Sequence, residues 1–214
     1  MLCLKTINHV SFDLDGTIID SISAMECAWS KCCETFEINC SFNKYRELTG
    51  LPFEKILENL NITKNQECIK KLYFQTTREN LNKIEIFDGA LDLVKTLSSQ
   101  NLSYSIITSK PRDAATRILN NFGLCPLYLG CGDDAGFAKP HQALGLHLVN
   151  KVGSAQKNIV YVGDTITDFL FAVNCDFQYI HCKFGAHGAL GANVYPSVVE
   201  INNLRELIRL FEEK

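Results

Sequence analysis

Phe12-Asp13-Leu14-Asp15-Gly16-Thr17 is the stretch on which the fold of this 214-residue chain turns. Val10, Phe12 and Leu14 alternate with Ser11, Asp13 and Asp15, which is the period of a β-strand. The strand stops at Gly16-Thr17, where glycine allows the backbone to turn. Two carboxylates one residue apart at the end of an apolar strand repel one another. They stay ionised together only beside a cation or hydrogen-bond donors.

Downstream the rhythm becomes helical. Ile22, Met25, Trp29, Cys32 and Phe36 recur at three- and four-residue steps, behind Asp20 or Ser21, either of which suits an N-cap. A short helix is expected over 42–48, ending before Gly50 and Pro52. A third carries Phe53, Ile56, Leu57 and Leu60, and a fourth covers about 66–81. Past Asp88-Gly89 strands and helices alternate. Strands are expected at 104–108, 127–129, 159–162 and 179–181, with helices between them and a closing helix through Leu204, Leu207, Ile208 and Phe211. That order predicts an α/β fold, a doubly wound, mostly parallel Rossmann-like sheet. The helical stretch after the first strand becomes an inserted four-helix cap over 20–83, leaving 1–19 and 84–214 as the core.

The bulk properties narrow the function. Hydrophobic residues make up 46% of the chain, enough for a full core, and the net charge of −3 offers no basic face for nucleic acid or an anionic membrane. No apolar run approaches membrane-spanning length. The ten cysteines show no Cys-x-x-Cys spacing, and no export signal is visible. They read as reduced, largely buried thiols in a cytoplasmic protein. Nothing in the sequence reports oligomeric state.

Polar clusters fall at or just beyond four strand ends: Asp13/Asp15, Thr108/Ser109, Lys139 and Asp164/Asp168. Open parallel sheets bind ligands outside these carboxyl ends. Three carboxyl groups suit a hard divalent cation, and a lysine with a threonine hydroxyl suits phosphate oxygens. Each cluster alone has a plain alternative. Asp13 and Asp15 could be a surface pair, Thr108-Ser109 a helix cap, Lys139 an exposed lysine before a helix, and 163–168 an ordinary turn.

Together the four motifs resemble the haloacid-dehalogenase-like superfamily, in particular its phosphoglycolate-phosphatase-like branch. The likeness covers essentially the whole chain and rests on Asp13-Leu14-Asp15-Gly16-Thr17-Ile18-Ile19-Asp20-Ser21, Ile106-Ile107-Thr108-Ser109-Lys110-Pro111, Lys139-Pro140 and Gly163-Asp164-Thr165-Ile166-Thr167-Asp168. The resemblance implies a phosphatase acting on a small phosphorylated metabolite. Asp13 is then the nucleophile that forms an aspartyl-phosphate, and Asp15 is the acid and base. Mg2+ sits against the Asp13 carboxylate, the Asp15 carbonyl and Asp164. Thr108, Ser109 and Lys139 hold the phosphoryl group, with Asp168 and Thr17 supporting them. The cap loop Thr49-Gly50-Leu51-Pro52-Phe53 faces the leaving group. Two departures stand out: Ser109 replaces a frequent asparagine, and His141 follows Lys139-Pro140 where an acidic residue or proline is common.

Three rivals bear on this reading. Dehalogenases of the superfamily lack the second aspartate, so Asp15 favours phosphoryl chemistry. A sugar phosphomutase of the β-phosphoglucomutase type needs a histidine where Met25 stands and an arginine near Phe53. A non-catalytic phosphate-binding module is expected to have lost the nucleophile, the metal ligand or the lysine, and none is missing. Phosphoglycolate, a sugar phosphate and a nucleotide all remain open as substrates. Arg46, Lys55 and Arg78 either meet a substrate anion or lie on solvated cap faces. Trp29 is expected in the cap core, and His9, His147 and His181 in structural positions. His187 is expected in a glycine-rich loop, 185–191, after the last core strand.

Overall fold

The strand that delivers Asp13 runs through the middle of the molecule. The computed structural model describes residues 4–134, 138–190 and 198–212. In chain order its strands are β1 (His9–Phe12), β2 (Ile19–Asp20), β3 (Glu85–Ile86), β4 (Ser103–Ile107), β5 (Leu129–Gly130), β6 (Ile159–Gly163), β7 (Gln178–Cys182) and β8 (Val199–Ile201). Six of them form one sheet in the order β5-β4-β1-β6-β7-β8, with every neighbouring pair parallel. The chain builds outward from β1 to β5 on one side, then crosses to β6 on the other. That reversal beside β1 is the switch point at which open α/β sheets hold ligands.

Both faces of the sheet are covered. Helices α5 (Ala90–Ser99), α6 (Arg112–Phe122), α7 (Ala143–Val152), α8 (Ile166–Asn174) and α9 (Leu204–Glu212) connect or close the strands. One apolar cluster joins Val10, Phe12, Ile106 and Val162 to Leu93, Leu119, Leu207 and Phe211. A second joins Ile107, Ile159 and Tyr161 to Leu144, Leu148 and Phe171 on the other side. Burial on both faces explains the unbroken apolar runs of the central strands.

The remaining helices, α1 (Ile22–Phe36), α2 (Phe42–Arg46), α3 (Phe53–Asn59) and α4 (Gln66–Glu79), share an apolar cluster of their own. Trp29 lies inside it, stacked on Tyr45 with ring centroids 4.5 Å apart, and its Nε1–H donates to the Cys40 carbonyl. The chain enters and leaves this helical segment through an antiparallel ribbon that pairs Ile19 with Ile86 and Asp20 with Glu85. Residue 20, expected at the start of a helix, is therefore strand.

Two local readings change. The glycine-rich loop after β7 is not beyond the last strand, because β8 follows it and pairs with β7 at the sheet edge. A three-residue Val-Glu-Ile is too short to announce itself by period. Of that loop, residues 185–190 are described and 191 lies outside the described residues. At the start of α1, Asp20 Oδ1 accepts from the Ile22 N–H, and this leaves the Ser21 hydroxyl for other work. All nine described cysteines are free thiols, and among the described residues no helix is long and apolar enough to cross a membrane.

Candidate active site

β1, β4 and β6 end side by side, and their polar residues converge there. Asp13 extends the ladder one residue past β1, its N–H donating to the Val162 carbonyl at 2.8 Å. Thr108 does the same past β4, donating to Gly130 at 2.9 Å. Asp164 follows β6 directly. A cavity of about 70 Å³ lies over these ends, lined by Asp13, Asp15, Thr108, Lys139 and Asp164 from below. The helical segment closes it from above with Met25, Tyr45, Leu51, Phe53 and Tyr73.

Lys139 is the hub. It is 1% exposed, so it is no surface lysine. Its Nζ lies 2.6 Å from Asp13 Oδ1, 2.6 Å from Asp168 Oδ1 and 3.0 Å from the Tyr161 hydroxyl. Those three partners use all three ammonium protons. Tyr161 in turn donates to the Ile107 carbonyl at 2.7 Å, which pins the arrangement to β4. Asp168 is fixed from its other side, because Oδ2 accepts from both the N–H and the hydroxyl of Thr165 in a capping box at the head of α8.

The charges sort accordingly. Burial acts to raise the Asp168 carboxyl, but Lys139 and the Thr165 donors outweigh it and hold it below its ordinary range. Asp13 shares Lys139 without such donors, and burial lifts it to about 7. Burial also works against the Lys139 ammonium, yet the two carboxylates keep it charged. Asp164 is pushed well above its ordinary range by burial and by the nearby charges of Asp168 and Asp13.

Three buried carboxylates against one lysine leave an excess of negative charge, which tests whether a cation fits. Asp13, Asp164 and Asp168 each offer an oxygen within 4.8 Å of the others. Asp168 is already saturated by Lys139 and Thr165. Among the described residues Asp164 receives only the Ala186 N–H at 2.6 Å and a long contact of 3.4 Å from the Thr17 hydroxyl. A hard divalent ion against Asp13 and Asp164 fits this oxygen-rich, under-neutralised corner. The space is kept open by glycine: a Cβ on Gly16, whose φ is +77, falls 2.1 Å from Asp164 Oδ2, and one on Gly185 falls 2.2 Å from Asp164 Cβ.

Asp15 sits at the rim, half-buried. Ser21 donates to its Oδ1 at 2.5 Å, and the Lys110 ammonium lies 3.2 Å from its Oδ2. Sequence reasoning quoted Ser21 and Lys110 inside their motifs but gave neither a role at Asp15, and it missed Tyr161 altogether. A tyrosine inside an apolar strand gives no sequence signal for its partner, whereas Lys110, two residues past Thr108, could have been placed near the first motif.

The plain alternatives for these motifs do not match the geometry. Thr108 and Ser109 do not cap α6, since the Arg112 N–H goes to Asp133. Thr108 Oγ1 accepts from the Lys110 N–H at 3.2 Å, so its own proton faces no assigned acceptor among the described residues. The Ser109 hydroxyl donates at 2.6 Å to the carbonyl of Gly50, in the loop between α2 and α3. In that loop Gly50 has φ +93, and a Cβ there would lie 2.7 Å from Thr165 Oγ1. Thr49, Gly50, Leu51 and Phe53 all line the cavity. Lys55 forms an exposed pair with Glu58, Arg78 reaches Asp113 on α6, and Arg46 lines a separate cleft beside His187. None of these three cations lines the cavity over Asp13.

A model of the haloacid dehalogenase-like hydrolase family matches residues 10–182. The chain belongs to this family. Among similar proteins, the pyrophosphatase PpaX of Oceanobacillus iheyensis is 24% identical over 175 residues, 81% of this chain and 82% of that protein. Phosphoglycolate phosphatase 1 of Pseudomonas aeruginosa is 25% identical over 213 residues, 93% of this chain and 78% of that protein. A hydrolase crystal structure from Pseudomonas syringae superposes with a TM-score of 0.86 at 24% identity, covering 97% of this chain and 98% of its own. The residues matched by the family model include Asp13, Asp15, Thr108, Lys139, Asp164 and Asp168.

Proposed function

We propose that this hydrolase is a Mg2+-dependent phosphatase that cleaves a small phosphomonoester through an aspartyl-phosphate on Asp13. The observation that carries the proposal is the meeting, in one small cavity, of Asp13, Asp15, Thr108, Lys139 and Asp164 from separate strand ends. Phosphoryl transfer asks mainly for positioning and neutralisation of charge, and this arrangement supplies both.

Asp13 Oδ1 is engaged by Lys139, which leaves Oδ2 as the attacking oxygen. A new P–O bond forms at Oδ2 as the bond to the leaving oxygen breaks. Asp15 gives that oxygen its proton, then accepts one from a water that attacks phosphorus and releases phosphate. Ser21 and Lys110 set the orientation of Asp15 for both steps. The Thr108 hydroxyl meets one equatorial phosphoryl oxygen, and the Lys139 ammonium meets another by giving up one of its three present partners. Asp168 and Tyr161 hold Lys139 in place, and Thr17 supports Asp164. The Asp13 and Asp164 carboxylates and the Asp15 carbonyl hold the Mg2+, which when bound offsets the charge of phosphate and carboxylates.

The helices over 22–79 belong to a segment, 20–83, that acts as a cap on a catalytic core of 1–19 and 84–214. Their loop at Gly50 touches the core at Ser109 and Thr165, shielding the site from water. Met25 and Phe53 give the cavity wall no proton donor or cation for a second phosphate, which favours hydrolysis over the mutase reading. The test is phosphate release from p-nitrophenyl phosphate. Turnover with Mg2+, its loss on chelation, and its loss in a folded Asp13→Asn variant are expected. Full activity in Asp13→Asn would remove Asp13 from the role of nucleophile.

A further inference from the structure

The half of the cavity that faces away from Asp13 has a distinct chemistry. Every described side chain that the helical segment contributes to it is uncharged, with Ile22, Met25, Tyr45, Leu51, Phe53 and Tyr73 forming most of the wall. Among the described residues two cations line the cavity, and both are committed: Lys139 to Asp13 and Asp168, Lys110 to Asp15. No described cation of the segment lines the cavity. Lys70 pairs with Glu54, Lys55 with Glu58 and Arg78 with Asp113, while Arg46 lines the cleft with His187. A carboxylate or second phosphate on the leaving group would be buried against this wall without a partner, which is costly. The cavity is also small: about 70 Å³ against roughly 300–1,000 Å³ for ordinary ligand pockets.

One polar group does point to a ligand. The Tyr73 side chain is 2% exposed, and its hydroxyl faces that of Tyr45 without forming a well-made hydrogen bond. A buried hydroxyl left in this state calls for a partner.

We infer that the leaving group is a small uncharged alcohol, mostly apolar, whose own polar group is met by the Tyr73 hydroxyl. This inference rests on the phosphatase reading and selects within it. It sets this chain apart from phosphoglycolate and pyrophosphate as substrates, although relatives carry those names.

Hydrolysis of p-nitrophenyl phosphate with Mg2+ first establishes phosphatase activity. The specificity constants for phenyl phosphate and glycerol 2-phosphate are then set against those for 2-phosphoglycolate and pyrophosphate. The uncharged leaving groups are expected to win by about tenfold or more, a tenfold gap being about 1.4 kcal/mol. Equal or better use of either competitor with an anionic leaving group overturns the inference while leaving the phosphatase reading intact. Should no ester turn over, that reading falls. The inference is then decided by titrating Asp13→Asn with phenyl phosphate and 2-phosphoglycolate in Mg2+, where tighter binding of 2-phosphoglycolate overturns it.

Tyr73→Phe separates the hydroxyl from the ring, which still packs on Phe53 at 4.7 Å. The preference for glycerol 2-phosphate over isopropyl phosphate should fall about three- to tenfold, the worth of one hydrogen bond. An unchanged preference overturns the role given to Tyr73.

Discussion

Lys139 Nζ stands 2.6 Å from Asp13 Oδ1 and 2.6 Å from Asp168 Oδ1, so one buried ammonium links the proposed nucleophile to the head of α8. Replacing it with methionine keeps the volume and strands two buried carboxylates. Breaking a buried pair in this way costs roughly 3–5 kcal/mol. Losing one electrostatic donor costs roughly 10²–10³ in turnover. Urea unfolding in chelator should report the first effect and steady-state phosphate release the second. A Lys139→Met enzyme with normal kcat would show that the ammonium does not serve the phosphoryl group.

Gly16 is required for a reason that cation titration can read. Alanine there places a methyl group 2.1 Å from Asp164 Oδ2. The Mg2+ concentration for half-maximal activity should rise by roughly 10–100-fold, the usual effect of displacing a group that orients a ligand. Gly123→Ala is the control: its φ is +66, but nothing lies within 4 Å of the added Cβ. It should lower stability modestly and leave the Mg2+ response alone.

Ser109 discriminates between two roles. It was expected at the phosphate, but its hydroxyl donates to the Gly50 carbonyl. Ser109→Ala should raise KM several-fold with kcat nearly unchanged, because it loosens the loop and costs about 1 kcal/mol. A fall in kcat with KM constant would return Ser109 to the phosphoryl group.

Acid should unfold the protein earlier than its carboxylates alone dictate. His9 is buried between the Ser103 and Ser105 hydroxyls at 2.7 and 2.6 Å, and burial lowers it to about 4. Above about pH 6.5 the imidazole is neutral folded or unfolded, and it adds no pH dependence. As pH falls from there toward 4, the unfolded chain takes up a proton that the folded chain refuses. Stability then drops by up to about 1.4 kcal/mol per pH unit for such a group. His181 and His187 are also lowered by burial and act in the same direction. Denaturant midpoints between pH 7.5 and 4.5 should fall, and fall less steeply in His9→Asn.

The sheet was legible because its central strands are buried on both faces and read as apolar runs between helical periods. Asp13, Thr108 and Asp164 were legible because each follows such a run; Lys139, in the loop between β5 and α7, was legible through the Lys139-Pro140 motif. What escaped was lateral. The pairing of Tyr161 with Lys139 joins residues far apart in the chain, and no spacing encodes it, whereas that of Lys110 with Asp15 was within reach once the second motif was set beside the first. The edge strand β8 and the two-residue strands β2 and β3 escaped for another reason. Two or three residues carry no measurable period, and only their partners define them. Asp20 and Ser21 were both plausible caps. Ser21 holds the N-cap position of α1 but makes no side-chain cap bond; Asp20 Oδ1 accepts the Ile22 N–H instead, and the Ser21 hydroxyl goes to Asp15.

The ribbon of β2 and β3 has an architectural consequence. The helical segment leaves and rejoins the sheet at adjacent residues, with Asp20 opposite Glu85. A short hairpin turn across those two positions closes the chain without rethreading a single sheet strand. We expect the segment to be replaceable as a unit, its length and lining changing while β1, β4 and β6 keep their register.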